Sequence, residues 1–178
     1  LTSNMSFENI LFLFGKILLL GTINKFVLLL LYMSYKGIYR PSNPKKYKGD
    51  SQNIIYRSLW ERKFMNYCDL NENILEWASE EFWIPYLDPT TNRVRRYFPD
   101  FFIKYKDKDS NIRRSVIEVK PMRETLEPKV TKGKSRKTMI NESLTYVKNQ
   151  AKWKAAKEFC TDRKLEFKIM TEKELGIR

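Results

Sequence analysis

An acidic and a basic residue lie two positions apart in the otherwise apolar stretch "SVIEVKP", residues 115–121. Because successive side chains of a strand point to opposite faces, Glu118 and Lys120 share one face, and Pro121 is expected to end the strand. Burying a charge costs free energy unless that charge is paired or binds a metal. The stretch is therefore either a structural ion pair or the edge of a reaction site.

A second carboxylate, Asp100, precedes this stretch in "RVRRYFPDFFIKY", residues 93–105. That segment and "IRRSVIEVK", residues 112–120, flank the polar sequence "KDKDSN". Two such strand-forming runs around a short polar loop predict a β-hairpin. The hairpin would bring both carboxylates into one small structure.

Two registers of this hairpin are open, and only one of them makes a site. Pairing of Tyr105 with Ile112 would place Asp100 opposite Ile117 and turn Glu118 to the other face. Pairing of Tyr105 with Arg113 would instead bring the two carboxylates opposite each other, roughly 5 Å apart. The sequence does not choose between these registers.

In the second register, the two carboxylates would not both stay ionised without a cation between them. Oxygen ligands from one or two carboxylates, completed by waters and substrate phosphates, are typical of a Mg²⁺ site. Lys120 would stand beside it, able to orient or deprotonate an attacking water or to balance phosphate charge. The alternative is a surface hairpin in which Lys120 pairs with one carboxylate and contributes little to stability.

A third acidic residue lies upstream in "YRSLWERKFMNYCDL", residues 56–70, where large side chains recur at helical spacing. This pattern predicts an amphipathic helix. Glu61 falls one turn before Phe64, which places its carboxylate at or beside the buried stripe. The alternative for Glu61 is an ordinary solvated helix charge.

The composition limits the chemistry and indicates the partner. The chain has no histidine, which excludes His-dependent nucleases, serine and cysteine triads and imidazole-bound zinc. Its 34 Lys and Arg against 21 Asp and Glu give a net charge of +13, which indicates a polyanionic partner, either nucleic acid or an acidic membrane surface. The two cysteines fall on apolar helix faces and are expected to be buried thiols rather than a disulfide.

Basic side chains concentrate in two segments that predict irregular structure. Residues 33–50 contain two prolines and Gly49 and indicate an extended arm, and residues 123–137 indicate a mobile loop. The alternative for the basic residues of the loop is a solvated charge run. The residues expected to contact DNA phosphates are Lys45, Lys46, Arg57, Lys129, Lys132, Lys134, Arg136 and Lys137.

Residues 1–32 differ from the rest of the chain. The apolar run 10–32 is long enough to cross a bilayer, but it contains Lys16 and Lys25, which bring its insertion free energy close to zero. Met33 begins a segment with the composition of a soluble basic protein. We expect residues 1–32 to be upstream translation rather than a membrane anchor, and residues 51–178 to form the domain that carries the site.

The remaining elements complete an αβ pattern. Residues 74–86 predict one or two strands, 139–160 a long helix that packs on the sheet, and 165–170 a further strand. Trp153 on that helix is expected to pack in the core rather than to stack on a base. The strand, helix, strand order is the one an αβ core requires.

These motifs also resemble a known family. Pro99-Asp100 followed by Glu118-Val119-Lys120 matches the PD-(D/E)XK nuclease signature. The ordered blocks "YRSLWE", "RRYFPDFFIK", "IEVKP" and "KWKAA" resemble the head-completion nucleases of T-even-type tailed phages, which are related to TnsA-type endonucleases. The resemblance covers residues 33 to 178.

The resemblance implies an α/β fold with a restriction-endonuclease-like core, in which a mixed sheet is flanked by helices and preceded by the basic arm. It implies that Glu61, Asp100 and Glu118 are metal-site acids and that Lys120 is the catalytic lysine. It also implies a late role in capsid assembly.

We therefore predict an Mg²⁺- or Mn²⁺-dependent DNA endonuclease that acts in the host cytoplasm after packaging and can remain in the virion. Portal or neck proteins are the expected partners, and a membrane is not. The alternatives are a non-cleaving DNA-binding protein of the head or neck and a membrane-anchored basic protein.

Overall fold

A computed structural model describes residues 36–129, 131 and 133–177 of the chain. Residues 1–32 and Lys132, for which predictions are made above, lie outside the described residues. The strands are β1 (Gly37–Tyr39), β2 (Ile54–Tyr56), β3 (Ile74–Ser79), β4 (Ile84–Asp88), β5 (Arg93–Tyr97), β6 (Phe101–Lys106), β7 (Ile112–Val119) and β8 (Glu166–Met170). The α-helices are α1 (Leu59–Leu70), α2 (Met122–Thr125) and α3 (Arg136–Asp162).

The main sheet has four strands in the order β3-β6-β7-β8. Its first three strands are antiparallel neighbours, whereas β8 runs parallel to β7 and is reached through α3. Residues 115–119 of β7 are buried without alternation, because helices or loops cover the sheet on both faces. The predicted mixed sheet flanked by helices is therefore confirmed.

Two apolar clusters lie on opposite faces of this sheet. Ile117 and Val119 of β7 pack with the aromatic residues of α1 in the larger cluster. By strand parity, Val116 and Glu118 point the other way. On that side a second cluster joins β4, β5 and α3.

The predicted strand over residues 93–105 is wrong as a single element. It divides at residues 98–100 into β5, which pairs with β4 in a separate two-stranded sheet, and β6 of the main sheet. The physical reason is Pro99, which is fully buried and has no N–H to donate to a continuous ladder. Asp100 therefore stands immediately before β6, at the break.

The basic arm is folded rather than extended. Tyr39 and Tyr47 lie in the larger apolar cluster. The buried carboxylate of Asp69 accepts hydrogen bonds from the backbone N–H groups of Ser42 at 2.7 Å and Asn43 at 2.9 Å. Tyr39, Tyr47 and these hydrogen bonds thus tie the arm to the core.

The long helix is present but longer than predicted, and only its C-terminal half packs as expected. Trp153 and Cys160 are buried, so the core role of Trp153 is confirmed. Ile140, Leu144 and Val147, which were expected to face the sheet, are 43–49% exposed. A helix of 27 residues is about 40 Å long, whereas the five-residue strands it contacts span only about 17 Å, so its first turns extend past them.

Both cysteines are buried free thiols, as predicted. In the described part of the chain, no helix combines the length and apolar character that a membrane crossing requires.

Candidate active site

Three adjoining elements bring the predicted site residues to one cavity. Asp100 enters it from the break before β6, Glu118 and Lys120 from the end of β7, and Glu61 from the first turn of α1. The cavity has a volume of about 440 Å³ and is lined by all four of these residues.

The β6–β7 register is the one that makes a constellation. Tyr105 pairs with Arg113 and Phe101 with Ile117, so one further step along the ladder brings Asp100 opposite Glu118. The loop of residues 107–111 fixes this register: Asp107 accepts two backbone N–H groups of the loop, and Ser110 adopts a positive φ of 62°. The alternative register is excluded.

Asp100 is held in an environment that disfavours its charge. One carboxylate oxygen accepts a hydrogen bond from the backbone N–H of Val119 at 2.7 Å. The carboxyl group lies inside the protein, and this burial, with the negative charge of Glu118, raises the pKa of Asp100 well above its usual range. The site would therefore gain from a bound cation.

Glu118 and Lys120 form an ion pair, but not a surface one. The Lys120 ammonium lies 3.2 Å from Oε1 of Glu118, whose side chain is only 4% exposed. Burial alone would lower the pKa of Lys120, but Asp100 and Glu118 outweigh it and raise the pKa above the ordinary lysine value. Lys120 is thus a permanent cation in this arrangement, suited to holding anions rather than to accepting a proton.

Glu61 lies in the cavity rather than on a solvated helix surface. It forms a capping box with Ser58, whose Oγ accepts from the Glu61 N–H at 3.1 Å and donates to Oε1 at 3.0 Å. Oε2 accepts from the backbone N–H of Arg57 at 2.7 Å. Burial raises the pKa of Glu61 above its usual value.

The donor set fits a divalent cation with few protein ligands. Among residues 36–129, 131 and 133–177, no three acidic or thiol side chains are spaced to hold a metal ion together. Asp100 and Glu118 are the two carboxylates that face each other, and Mg²⁺ commonly binds one or two carboxylates and retains several waters. Both carboxylate oxygens of Glu61 already accept hydrogen bonds within the protein, so the position of Glu61 suits contact with the metal ion through a water molecule.

The cavity contains four polar residues that sequence reasoning missed, namely Glu80, Arg96, Tyr97 and Lys152. The Tyr97 hydroxyl donates to Oε2 of Glu118 at 2.6 Å, and the Lys152 ammonium lies 5.7 Å from the centre of the Tyr97 ring. Glu80, at a positive φ of 54°, forms an ion pair with Arg57. Strand parity over residues 93–105 would put Tyr97 on the face opposite to Asp100, and only its position before the Phe98-Pro99-Asp100 break connects it with the site in the sequence.

The residues predicted to bind DNA occupy different surroundings. Lys45, Lys129, Arg136 and Lys137 are exposed. Arg57 lines the cavity, and Lys134 pairs with Glu142 at 2.7 Å. Lys46 has a structural role, because its ammonium donates to the carbonyl oxygens of Asp69 at 3.0 Å and Asn71 at 2.8 Å, which end α1.

Comparison with known proteins identifies the family of the chain. Residues 71–172 match the family described as TnsA-like endonuclease N terminal. The chain is 38% identical over 143 residues to the head completion nuclease of Enterobacteria phage T4, an alignment that covers 79% of this chain and 93% of that protein. The predicted resemblance and its restriction-endonuclease-like fold are confirmed, and the chain belongs to the TnsA-like endonuclease family.

Proposed function

We propose that the protein is a divalent-metal-dependent DNA endonuclease that acts in phage head completion. The similarity to the head completion nuclease of phage T4 supports the role in head completion, and the family match supports endonuclease activity. The observation that carries the proposal is the buried pairing of Asp100 with Glu118 beside the Lys120 ammonium in one open cavity.

Asp100 and Glu118 would hold the metal ion, for which Mg²⁺ or Mn²⁺ fits the all-oxygen donors. The ion would supply the Lewis acidity that activates water and stabilises the leaving oxygen of a phosphodiester. Its positive charge would also remove the repulsion between the two carboxylates that raises the pKa of Asp100.

The other groups of the cavity act on position and charge. The Lys120 ammonium, 3.2 Å from Glu118, is placed to hold the attacking water and to offset charge that develops on the phosphate. The Tyr97 hydroxyl fixes one oxygen of Glu118 and so sets the direction of the other. Glu61 assists through water from the opposite wall of the cavity.

The DNA backbone would be held by the exposed basic residues and by Arg57 at the cavity. Lys45, Lys129, Arg136 and Lys137 are exposed and available to phosphates, and Lys134 would exchange Glu142 for a phosphate. Lys132 belongs to the same proposal. Each phosphate contact adds to the dependence of binding on salt.

Incubation with supercoiled plasmid and Mg²⁺ tests the proposal. The intact protein should produce nicked or linear DNA, and Lys120→Ala should lower the rate about 10²- to 10⁴-fold. Lys157→Ala, which removes an exposed lysine of α3, is the matched control and should cut at the parent rate. Salt-sensitive binding of DNA without any cleavage by the intact protein would contradict the proposal.

That negative result would favour the second candidate, a non-cleaving DNA-binding protein of the head or neck. The exposed Ile140, Leu144 and Val147 of α3 favour this candidate, because assembly contacts use exposed apolar surface. A membrane-anchored protein depends on residues 10–32, outside the described residues, and predicts recovery in the membrane fraction.

Portal or neck proteins as partners, action in the host cytoplasm and retention in the virion form part of the proposal for head completion. Sedimentation of the protein with DNA-filled heads tests them. Recovery of the protein only in the supernatant, at concentrations where it cuts DNA, would contradict a stable head contact.

A further inference from the structure

The two-stranded sheet β4–β5 forms a ribbon, residues 84–97, that begins at the active site and runs away from it. Tyr97 at its base contacts Glu118, and Arg96 lines the catalytic cavity. Five residue pairs, from Ile84–Tyr97 to Asp88–Arg93, give it a length of about 16 Å. The ribbon is not part of the main sheet.

The two faces of the ribbon differ. Ile84, Tyr86 and Tyr97 point to the cluster that includes α3 and are buried. The outer face carries an apolar cross-strand pair in solvent: Leu87 is 56% exposed, and Val94, directly opposite, is 74% exposed. An antiparallel ribbon with one solvated face normally has polar residues there.

The accessible charge of the ribbon has a single sign. Its three arginines, Arg93, Arg95 and Arg96, are all exposed. Its one acidic residue, Asp88, is 1% exposed and faces Arg95 at 3.1 Å. By the register of the ribbon, Arg96 shares the outer face with Leu87 and Val94, whereas Arg93 and Arg95 lie on the face of Asp88. The outer face therefore joins one positive charge to apolar side chains.

The tip of the ribbon is fixed in place. Asp88 accepts hydrogen bonds from the backbone N–H of Thr90 at 2.9 Å and from its hydroxyl at 2.7 Å, which closes the turn. The ammonium of Lys148, on α3, lies 3.9 Å from the same carboxylate. At the base, the Arg96 guanidinium lies 4.9 Å from the ring centre of Trp83.

We propose that the outer face of this ribbon, with Leu87, Val94 and Arg96, lies in a groove of double-stranded DNA beside the bond to be cut. The inference rests on the proposed nuclease function and adds the element that holds the duplex. The major groove is about 12 Å wide and admits a two-stranded ribbon. Apolar side chains contact thymine methyl groups there, and arginines contact base edges or phosphates.

Duplex DNA fits this surface better than a protein partner does, for two reasons. The positive charge is complementary to phosphates. The surface is also continuous with the catalytic cavity through Arg96, so that DNA in that cavity must pass along it.

Binding of a fluorescent 20-base-pair duplex by the full chain in EDTA, measured by anisotropy over a salt series, tests the proposal without cleavage. The double variant Leu87→Ser/Val94→Ser should weaken binding roughly tenfold. Arg96→Gln should lower the slope of log Kd against log salt by about 0.9, the loss of one phosphate contact.

Matched controls come from the far end of β7. Ile112→Ser changes an apolar residue that is 60% exposed, and Arg114→Gln changes an exposed arginine. Both controls should bind the duplex as the parent does. Thermal unfolding at the parent Tm confirms that each variant is folded.

The ribbon proposal is overturned if the folded ribbon variants keep the affinity and salt slope of the parent, and such a surface would instead suit a protein partner. Plasmid cleavage separates this failure from that of the nuclease proposal. If the parent cuts plasmid and the ribbon variants bind DNA normally, only the ribbon proposal is refuted. If the parent binds DNA but never cuts it, and the ribbon variants bind more weakly, only the nuclease proposal is refuted.

Discussion

Asp69 and Asp100 are both carboxylates inside this protein, yet their surroundings differ. Asp69 receives hydrogen bonds from the Tyr39 hydroxyl and from the backbone N–H groups of Ser42 and Asn43. Asp100 receives one, from the Val119 N–H, and faces the like charge of Glu118. A buried charge with several donors holds the chain together, whereas one that faces its own sign leaves room for a cation.

The largest expected effect is on the rate of cleavage and comes from Asp100. Asp100→Asn should lower the rate of Mg²⁺-dependent plasmid cleavage by at least about 10³-fold, roughly 4 kcal/mol of transition-state stabilisation. The amide keeps the acceptor for Val119 but removes the charge that would hold the metal. Asp162→Asn, an exposed aspartate at the end of α3, is the control and should cut normally. A rate for Asp100→Asn within tenfold of the parent would remove Asp100 from the site.

Asp69, the structural carboxylate, should affect stability rather than cleavage. Asp69→Ala should lower the free energy of unfolding by about 3 kcal/mol, because it leaves the N–H groups of Ser42 and Asn43 without their acceptor. Urea denaturation measures the loss. Cleavage per folded molecule should not change, and a reduced rate in protein shown to be folded would mean that Asp69 also acts at the site.

Tyr97 is expected to make a smaller contribution to cleavage than Asp100. Tyr97→Phe removes the hydroxyl that donates to Glu118 at 2.6 Å and should slow cleavage about tenfold, or roughly 1.4 kcal/mol. As a positioning residue, Tyr97 should also change the Mg²⁺ concentration at half-maximal rate, which a purely structural role would not move. Tyr146→Phe on α3 is the control. An unchanged Mg²⁺ midpoint with normal kcat would contradict this role.

The smallest expected effect is a gain, rather than a loss, of stability when Asp100 is replaced. Because the folded-state pKa of Asp100 is raised, its ionisation opposes folding when no metal is bound. Asp100→Asn should therefore raise stability in EDTA by about 1 kcal/mol, or about 2–4 °C in Tm.

The gain in stability from Asp100→Asn should be complete at pH values above the folded-state pKa of Asp100. It should vanish below about pH 4, where the Asp100 carboxyl is also protonated in the unfolded parent. Thermal melts at several pH values measure it. Added Mg²⁺ should stabilise the parent but not the variant. A lower Tm for the variant in EDTA would show that Asp100 behaves like Asp69.

Local patterns in the sequence were sufficient for several parts of the fold. The helical spacing of Trp60 and Phe64 gave α1, and the alternation of residues 165–170 gave β8. The pattern over residues 93–105 failed because a strand pattern does not report which strand it pairs with. Only the buried Pro99 marks the change of sheet.

The helix α3 shows another limit of local pattern. Its apolar residues continue at helical spacing through Ile140, Leu144 and Val147, but what a face packs against depends on where neighbouring elements end. Likewise, Arg96 and Lys152 reach the cavity only because β5 and α3 approach it in space.

The sequence by itself determined the type of chemistry. Without histidine, a hydrolytic site must use carboxylates and lysines, and strand parity alone puts Glu118 and Lys120 on one face. The tertiary structure decided whether those groups meet Asp100, because a shift of one residue between β6 and β7 would have separated them. Register depends on the backbone geometry of the loop of residues 107–111, which the pattern of apolar and polar side chains does not report.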